Sequence, residues 1–254
     1  MKLPRTPSFR LDGRRALVAG ASRGIGLGCA MALAEAGAHV ICAARGQEAL
    51  EEAVQAMQAE GLSAEALVLD LADLDAMTAA MRGLGSLDIF VNSAGTARHA
   101  PALETLPENF DAVMEANFRG AYFASCQAAR LIIAGGKGGS IINISSQMGH
   151  VGGIDRTVYA ASKHAVEGMT RSMAIEWGPQ NIRANTICPT FIRTPLTEPT
   201  FADPERVAWI RSKIKLDRIG EVEDIMGAVL FLASDASALV TGTSILVDGG
   251  WTAG

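Results

Sequence analysis

Charge is scarce in this sequence: Asp, Glu, Lys and Arg make up 19% of 254 residues, and the formal net charge is −5. Proteins that wrap nucleic acid carry a basic stripe, and none runs along this chain, so phosphate polymers are excluded as partners and any anion must be met by local groups. Cysteine and histidine are also few. Cys29, Cys42, Cys126 and Cys188 stand singly in small or apolar segments, without the short paired spacings of zinc or redox motifs, and read as buried free thiols. His39, His99, His150 and His164 are equally scattered, so no protein-bound metal is expected. No charge-free run of membrane-spanning length occurs, and no apolar stretch of a secretory signal follows the basic opening MKLPRTPSFRLDGRR. A cytoplasmic protein is expected. Low-complexity blocks, fixed-period repeats and interdomain linkers are missing too, which predicts one domain over residues 1–254.

Apolar residues are plentiful, at 49% of the chain, enough for a sizeable core. Short runs rich in Val, Ile and Leu recur: ALVAG from Ala16, HVICAA from His39, ALVLD from Ala66, LDIFVNSAG from Leu87, SIINIS from Ser140, IRANTICP from Ile182 and SILVDGG from Ser244. Most are continuous rather than alternating, as strands buried on both faces of a parallel sheet must be. Helical spacing fills the gaps, as in IGLGCAMALAEAG after Gly24 and the amphipathic GQEALEEAVQAMQAEG from Gly46. Repeated strand and helix units predict an α/β, Rossmann-type doubly wound sheet of about seven parallel strands with helices on both faces. The rhythm breaks after Pro189, where four prolines, Pro189, Pro195, Pro199 and Pro204, precede a predicted amphipathic helix. An insert this long inside a compact domain is usually functional or mobile, and a substrate lid is predicted at about 190–215.

GASRGIGLG follows the first strand, with Gly20, Gly24 and Gly26 opening a helix. Backbone N–H groups at a helix N-terminus bind phosphate, and glycine lets the chain approach closely. By contrast GGKGGS, from Gly135, precedes a strand and lacks Ser or Thr after its lysine, so it reads as a turn. The second strand ends CAARG, where an acid commonly holds the adenosine ribose of NAD. Here Ala44 and Arg45 occupy that place, and with Arg23 of the glycine loop they suit the 2′-phosphate of NADP.

These features, with NSAG at Asn92 to Gly95, Asn117 in EANFRGAY, Ser146, YAASK from Tyr159 to Lys163, CPTFIRT from Cys188 and VTGTSILVDGG from Val240, closely resemble the short-chain dehydrogenase/reductase family from about Leu11 to Gly254. The resemblance implies a nicotinamide-dependent oxidoreductase that interconverts a secondary alcohol and a ketone, with NADP(H) favoured and NAD(H) the alternative. It assigns proton exchange with the substrate oxygen to Tyr159, and Lys163 falls one turn on, where a cation favours the charged phenol oxygen. By the same carry-over Ser146, rather than its neighbour Ser145, positions the reacting oxygen, and Asn117 holds a relay water.

The cofactor residues implied are Gly20, Ser22, Arg23, Gly24, Ile25, Gly26, Arg45, Asp70, Leu71, Asn92, Ala94, Gly95, Tyr159, Lys163, Pro189, Ile192 and Thr194. Three positions depart from the family pattern: Ala19 and Ser93 in strand and loop, and Thr190 after the proline. Ser146, Gln147, Arg156, Tyr159 and Thr190 are expected to meet the substrate, together with Thr96, Arg98, His99 and His150 as pocket candidates. That polar list leans towards a sugar, polyol or sugar acid. A 3-oxoacyl thioester reductase is the alternative within the same chemistry, and a non-enzymatic nucleotide-binding regulator is the alternative outside it. A homotetramer is implied, with the helix after Asn109 and the C-terminal SILVDGGWTAG at its interfaces.

Overall fold

The computed structural model describes residue 1 and residues 3–254. Each apolar run is a strand: β1 (Arg15–Ala19), β2 (His39–Ala44), β3 (Ala64–Val68), β4 (Ile89–Asn92), β5 (Gly139–Ile144), β6 (Ile182–Pro189) and β7 (Ser244–Val247). They pair in parallel in the order β3-β2-β1-β4-β5-β6-β7. The chain builds outward from β1 in one direction through β3, then crosses to β4 on the other side. The carboxyl ends of β1 and β4 therefore border the crevice where open α/β sheets bind ligands.

Alternate side chains of these strands feed two cores. Val18, Val40, Cys42, Ile89 and Val91 pack beneath α1 (Gly24–Glu35) and α2 (Gln47–Ala59). Leu17, Ile41 and Phe90 pack on the opposite face beneath α3 (Leu74–Arg82). The amphipathic reading of α2 is realised by Leu50, Ala53, Val54 and Met57, buried at helical spacing, and Gly61 ends the segment at φ +77°. Beyond β4 come α4 (Pro107–Met114), a five-residue π turn (Glu115–Arg119), α5 (Gly120–Gly135) and α6 (Thr157–Trp177). Within GGKGGS, Gly136 and Gly138 both have positive φ and lead directly into β5, as a turn does.

Two differences from the strand reading have one cause. β3 begins two residues earlier than the apolar run, and three of its five residues, Glu65, Ala66 and Val68, are exposed. β7 is likewise only partly covered, with Leu246 43% exposed. Both are edge strands, so neither is buried on both faces as the continuous-run argument assumed. The proline-rich insert holds two helices where one was expected, α7 (Glu198–Phe201) and α8 (Pro204–Lys213), before α9 (Glu223–Ala233) returns to the sheet. Asp203 caps α8, accepting from the Glu205 and Arg206 N–H groups, and Ile210 is the helix's one fully buried side chain.

Candidate active site

The glycine loop is shaped by what it must avoid. Gly20 turns at φ +82°, and a Cβ there would come within 2.9 Å of the Ser93 and Ala94 backbone; one on Gly26 would strike the Gly20 carbonyl. The loops that follow β1 and β4 can therefore approach this closely only with glycine at position 20. At the start of α1 Arg23 makes no side-chain cap, and no acid lies in the first turn, so the N–H groups face the loop unpartnered in a field that favours an anion. Ser22 and Ile25 are half-buried beside it. A Cβ on Gly24 would sit 3.3 Å from Thr194, which brings the segment after β6 against the loop. That segment is fixed by Thr197, whose Oγ1 accepts from the Thr194 N–H at 3.0 Å and donates to the Ile192 carbonyl at 2.6 Å. This cradle, which side chains would fill, fits the pyrophosphate of a dinucleotide.

Gly20 and Ala21 donate N–H bonds to the Ala43 carbonyl at 2.8 and 3.1 Å, holding the end of β2 beside the loop. Arg45 lies just beyond it. Arg23 and Arg45 are both exposed, and neither forms an ion pair among the described residues. Asp70, also exposed, accepts from the Ala72 N–H at 3.0 Å. Leu71 differs from a simple adenine contact: its side chain is buried in the core, and its carbonyl lies against Gly120 at the start of α5. Asn92 supports the next loop, its Oδ1 accepting from the Ala94 N–H at 3.2 Å and its Nδ2 donating to Asn143 at 3.3 Å.

Lys163 is only 6% exposed, and its Nζ donates to the Ile144 carbonyl at 2.9 Å while lying 5.7 Å from the Tyr159 ring centroid. No carboxylate pairs with it among the described residues. A buried ammonium without a counter-ion is costly, and here it sits beside Tyr159 and beneath Gly95, where a Cβ would approach it to 3.9 Å. Asn117, in the π turn, is clamped: Oδ1 accepts from the Thr96 N–H at 2.7 Å, and Nδ2 donates to the Thr96 carbonyl at 2.9 Å and to Ser162 Oγ at 3.1 Å. Ser162 Oγ in turn donates to the Tyr159 carbonyl at 2.7 Å. The amide expected to hold a relay water thus braces the tyrosine's helix.

Ser146 follows the end of β5, donating to Gln147 Oε1 at 3.2 Å and accepting from the Met148 N–H at 3.1 Å. Ser145 faces the other way: its buried Oγ has no hydrogen-bond partner and would lie 3.0 Å from a Cβ on Gly149. Gln147 itself is buried, at 2% exposure. Thr190 presents a buried Oγ1 without a hydrogen-bond partner among the described residues, just after the buried Pro189 that ends β6. Arg156, the residue before α6, places Nη1 2.6 Å from His99 Nε2, and the His99 ring packs edge-on against Tyr159 at 5.9 Å. Arg98 is turned to Asn109, with a hydrogen bond of 2.8 Å.

His150 is an exposed residue whose ring tip reaches two buried side chains. Its Nε2 lies 3.5 Å from Cys188 Sγ and 3.8 Å from Glu167 Oε2, so the scattered His and Cys positions do converge at one place. Glu167 is 2% exposed and accepts from Thr186 Oγ1 at 3.1 Å, Ser244 Oγ at 2.5 Å and Cys188 Sγ at 3.2 Å. Burial and the neighbouring Glu167 push the Cys188 thiol up to about 12, which keeps it a proton donor. Sequence reading did not find this cluster.

The switch-point crevice with its glycine cradle defines a Rossmann-type fold, and the Tyr159 and Lys163 pair stands beside that crevice. The chain matches the family model described as enoyl-(acyl carrier protein) reductase over residues 20–252. It is 39% identical to L-xylulose reductase of Bos taurus over 96% of this chain and 99% of that one. It is also 39% identical to gluconate 5-dehydrogenase of Gluconobacter oxydans, over 96% of each chain. The crystal structure of a gluconate 5-dehydrogenase from Burkholderia cenocepacia in complex with NADP and tartrate superposes with a TM-score of 0.93, at 37% identity, over 97% of this chain and 98% of that chain. The chain belongs to the short-chain dehydrogenase/reductase family, and it is an oxidoreductase of the secondary alcohol and ketone class that uses a nicotinamide dinucleotide. No helix among the described residues is long and apolar enough to cross a membrane.

Proposed function

We propose that the enzyme uses NADP(H) to interconvert a secondary alcohol and a ketone on a small sugar, polyol or sugar acid. The observation that carries the reaction is the buried, unpaired Lys163 ammonium beside Tyr159. When bound, the nicotinamide supplies or accepts the hydride. Tyr159 exchanges the proton at the substrate oxygen, and Lys163 stabilises the charge left on the phenol and holds the cofactor ribose. Ser146 orients the reacting oxygen, while Asn117 positions the tyrosine's helix through Ser162. The helices at 198–213 act as the lid that excludes water. L-Xylulose reductase and gluconate 5-dehydrogenase among the relatives favour a hydroxylated substrate over an acyl thioester. An assay at the reduced-nicotinamide absorbance band, crossing NADP and NAD with polyols, sugar acids and 3-oxoacyl esters, tests this. Turnover of 3-oxoacyl esters alone would overturn the substrate class.

The NADP preference rests on Arg23 and Arg45, two exposed cations with no ion pair at the β1 and β2 ends; an acid for the ribose hydroxyls is missing there. A hydrogen bond to a charged group contributes about 1.5–3 kcal/mol, and an exposed arginine belongs at the low end. Arg45→Ala is therefore expected to raise the KM for NADP about tenfold and to leave the KM for NAD nearly unchanged. Equal losses with both cofactors would reject the assignment.

A tetramer accounts for two exposed apolar surfaces. Phe110, Tyr122 and Phe123 on α4 and α5 are 46%, 42% and 40% exposed, and Leu246 leaves the β7 edge open. Four free thiols accord with a cytoplasmic setting. Native mass spectrometry is expected to find four chains per particle, with Phe123→Glu giving smaller species; a wild-type monomer would exclude this assembly.

A further inference from the structure

Besides Lys163, two arginines, Arg156 and Arg206, stand close enough to His99 for their charges to act on its ring. Arg156, the residue before α6, is half-buried, with its guanidinium 5.2 Å from the Phe191 ring centroid. Arg206, on α8, lies 4.6 Å from the Trp209 ring. Trp209 packs edge-on against Trp251 at 5.3 Å, and Trp251 faces Phe191 at 5.7 Å. The three aromatic rings thus form a continuous wall with a guanidinium at each end.

Neither arginine forms an ion pair among the described residues. Asp155, the nearest acid in sequence, is exposed and attracts Arg156 only through space. Burial, and then repulsion from Arg206, hold the Arg156 guanidinium below its ordinary value. Burial followed by the charges of Arg156 and Arg206 pulls His99 down to about 4, so at neutral pH it is an uncharged acceptor of the Arg156 proton. The close polar contact of Arg156 is therefore a neutral ring, and most of its five N–H donors are left for a ligand. A desolvated guanidinium that repels its neighbour is an incomplete site. What completes it is an anion, and the planar fork of arginine matches a carboxylate in shape.

We propose that Arg156 and Arg206 together bind a carboxylate of the substrate, so that the enzyme acts on a polyhydroxy or keto acid rather than on a neutral sugar. This deepens the sugar-type reading above and rests on it. Arg156 meets His99 at 2.6 Å and the His99 ring packs on Tyr159 at 5.9 Å, so Arg156 and Tyr159 hold the acid end and the reacting carbon of one short chain. A carboxylate placed between the arginines turns one repulsion into two attractions. Because Arg206 comes from α8 and Arg156 immediately precedes α6, the same contact draws the lid helix onto the cleft. Neutral polyols lack the group that would do so.

The decisive experiment is calorimetric titration in the presence of NADPH, with which an alcohol cannot react, using D-gluconate, tartrate and the uncharged D-gluconamide as probes. The wild type is expected to bind at least one of the two acids thirtyfold or more tighter than the amide. Arg156→Leu and, separately, Arg206→Leu should each weaken acid binding at least tenfold and leave NADPH affinity and the amide unchanged. The Arg206 variant alters a lid side chain outside both cores, so it keeps the test valid if Arg156→Leu folds poorly. Binding of neither acid, equal binding of acid and amide, or variants that bind the acid like the wild type would overturn the proposal. Turnover with D-gluconate and xylitol separates the two readings. Oxidation of xylitol without carboxylate binding leaves the sugar reading standing and removes the anion site; carboxylate binding without turnover of any polyol or acid does the reverse.

Discussion

Tyr159→Phe is expected to lower kcat about 10³-fold, within the 10²–10⁴ range typical of a lost general acid or base, while the fold and the affinity for the dinucleotide stay unchanged. The substitution removes one oxygen and keeps the ring, which packs edge-on to His99 at 5.9 Å and lies 5.7 Å from Lys163 Nζ. Tyr159 joins the local hydrogen-bond network through its main-chain carbonyl, which accepts from Ser162, so deleting the hydroxyl breaks none of the bonds that hold α6. Lys163 remains tied to the Ile144 carbonyl at 2.9 Å and can still meet a ribose. The loss should therefore fall on kcat, with the KM for cofactor moved by less than about twofold, the pattern of an interaction made only in the transition state. Stopped-flow absorbance for the chemical step, with a fluorescence titration of NADPH, separates these quantities. A variant that keeps most of its turnover would place proton transfer elsewhere.

The parts of this protein that could be read in the sequence are those whose physics is local. Continuous apolar runs mark central strands because both faces are covered, and the reading loosens at β3, where Glu65, Ala66 and Val68 meet solvent at the sheet edge. Gly20 and Gly26 were legible as a cradle because their spacing follows from one strand-to-helix turn. Helical spacing put Tyr159 and Lys163 one turn apart, but a role for the pair came only from the family resemblance of YAASK together with the glycine loop. The π turn at Glu115–Arg119 had no such mark: a single turn is too short to set up a period of its own. Arg206 and Trp209 were hidden inside a proline-rich insert whose two short helices leave only Ile210 fully buried. Their meeting with Trp251 depends on how the C-terminus folds back. Nothing within reach of a sequence window encodes that contact.

The same reasoning explains why the His150, Glu167 and Cys188 cluster went unseen, and it sets the last expectation. Glu167 comes from α6, Cys188 and Thr186 from β6, Ser244 from β7 and His150 from the loop after Ser146, so only the parallel crossovers bring them together. Its carboxylate receives three side-chain donors in a place 2% exposed to solvent. Glu167→Ala is expected to cost about 3 kcal/mol of unfolding free energy, since it opens a cavity and strands buried hydroxyl and thiol donors. Glu167→Gln should cost only about 1 kcal/mol, because the Thr186 or Ser244 hydroxyl can rotate to accept from the new amide. Denaturant midpoints at equal protomer concentration give both values, a necessary control if the assembly contributes to stability. The alanine variant should also raise the KM for substrate more than it lowers kcat, because His150 anchors the loop between Ser146 and Arg156 to this cluster without touching the proton-transfer pair. Equal stability losses in the two variants would mean that the carboxylate and its three accepted hydrogen bonds, not the volume of the side chain, hold β6, β7 and the substrate loop in register.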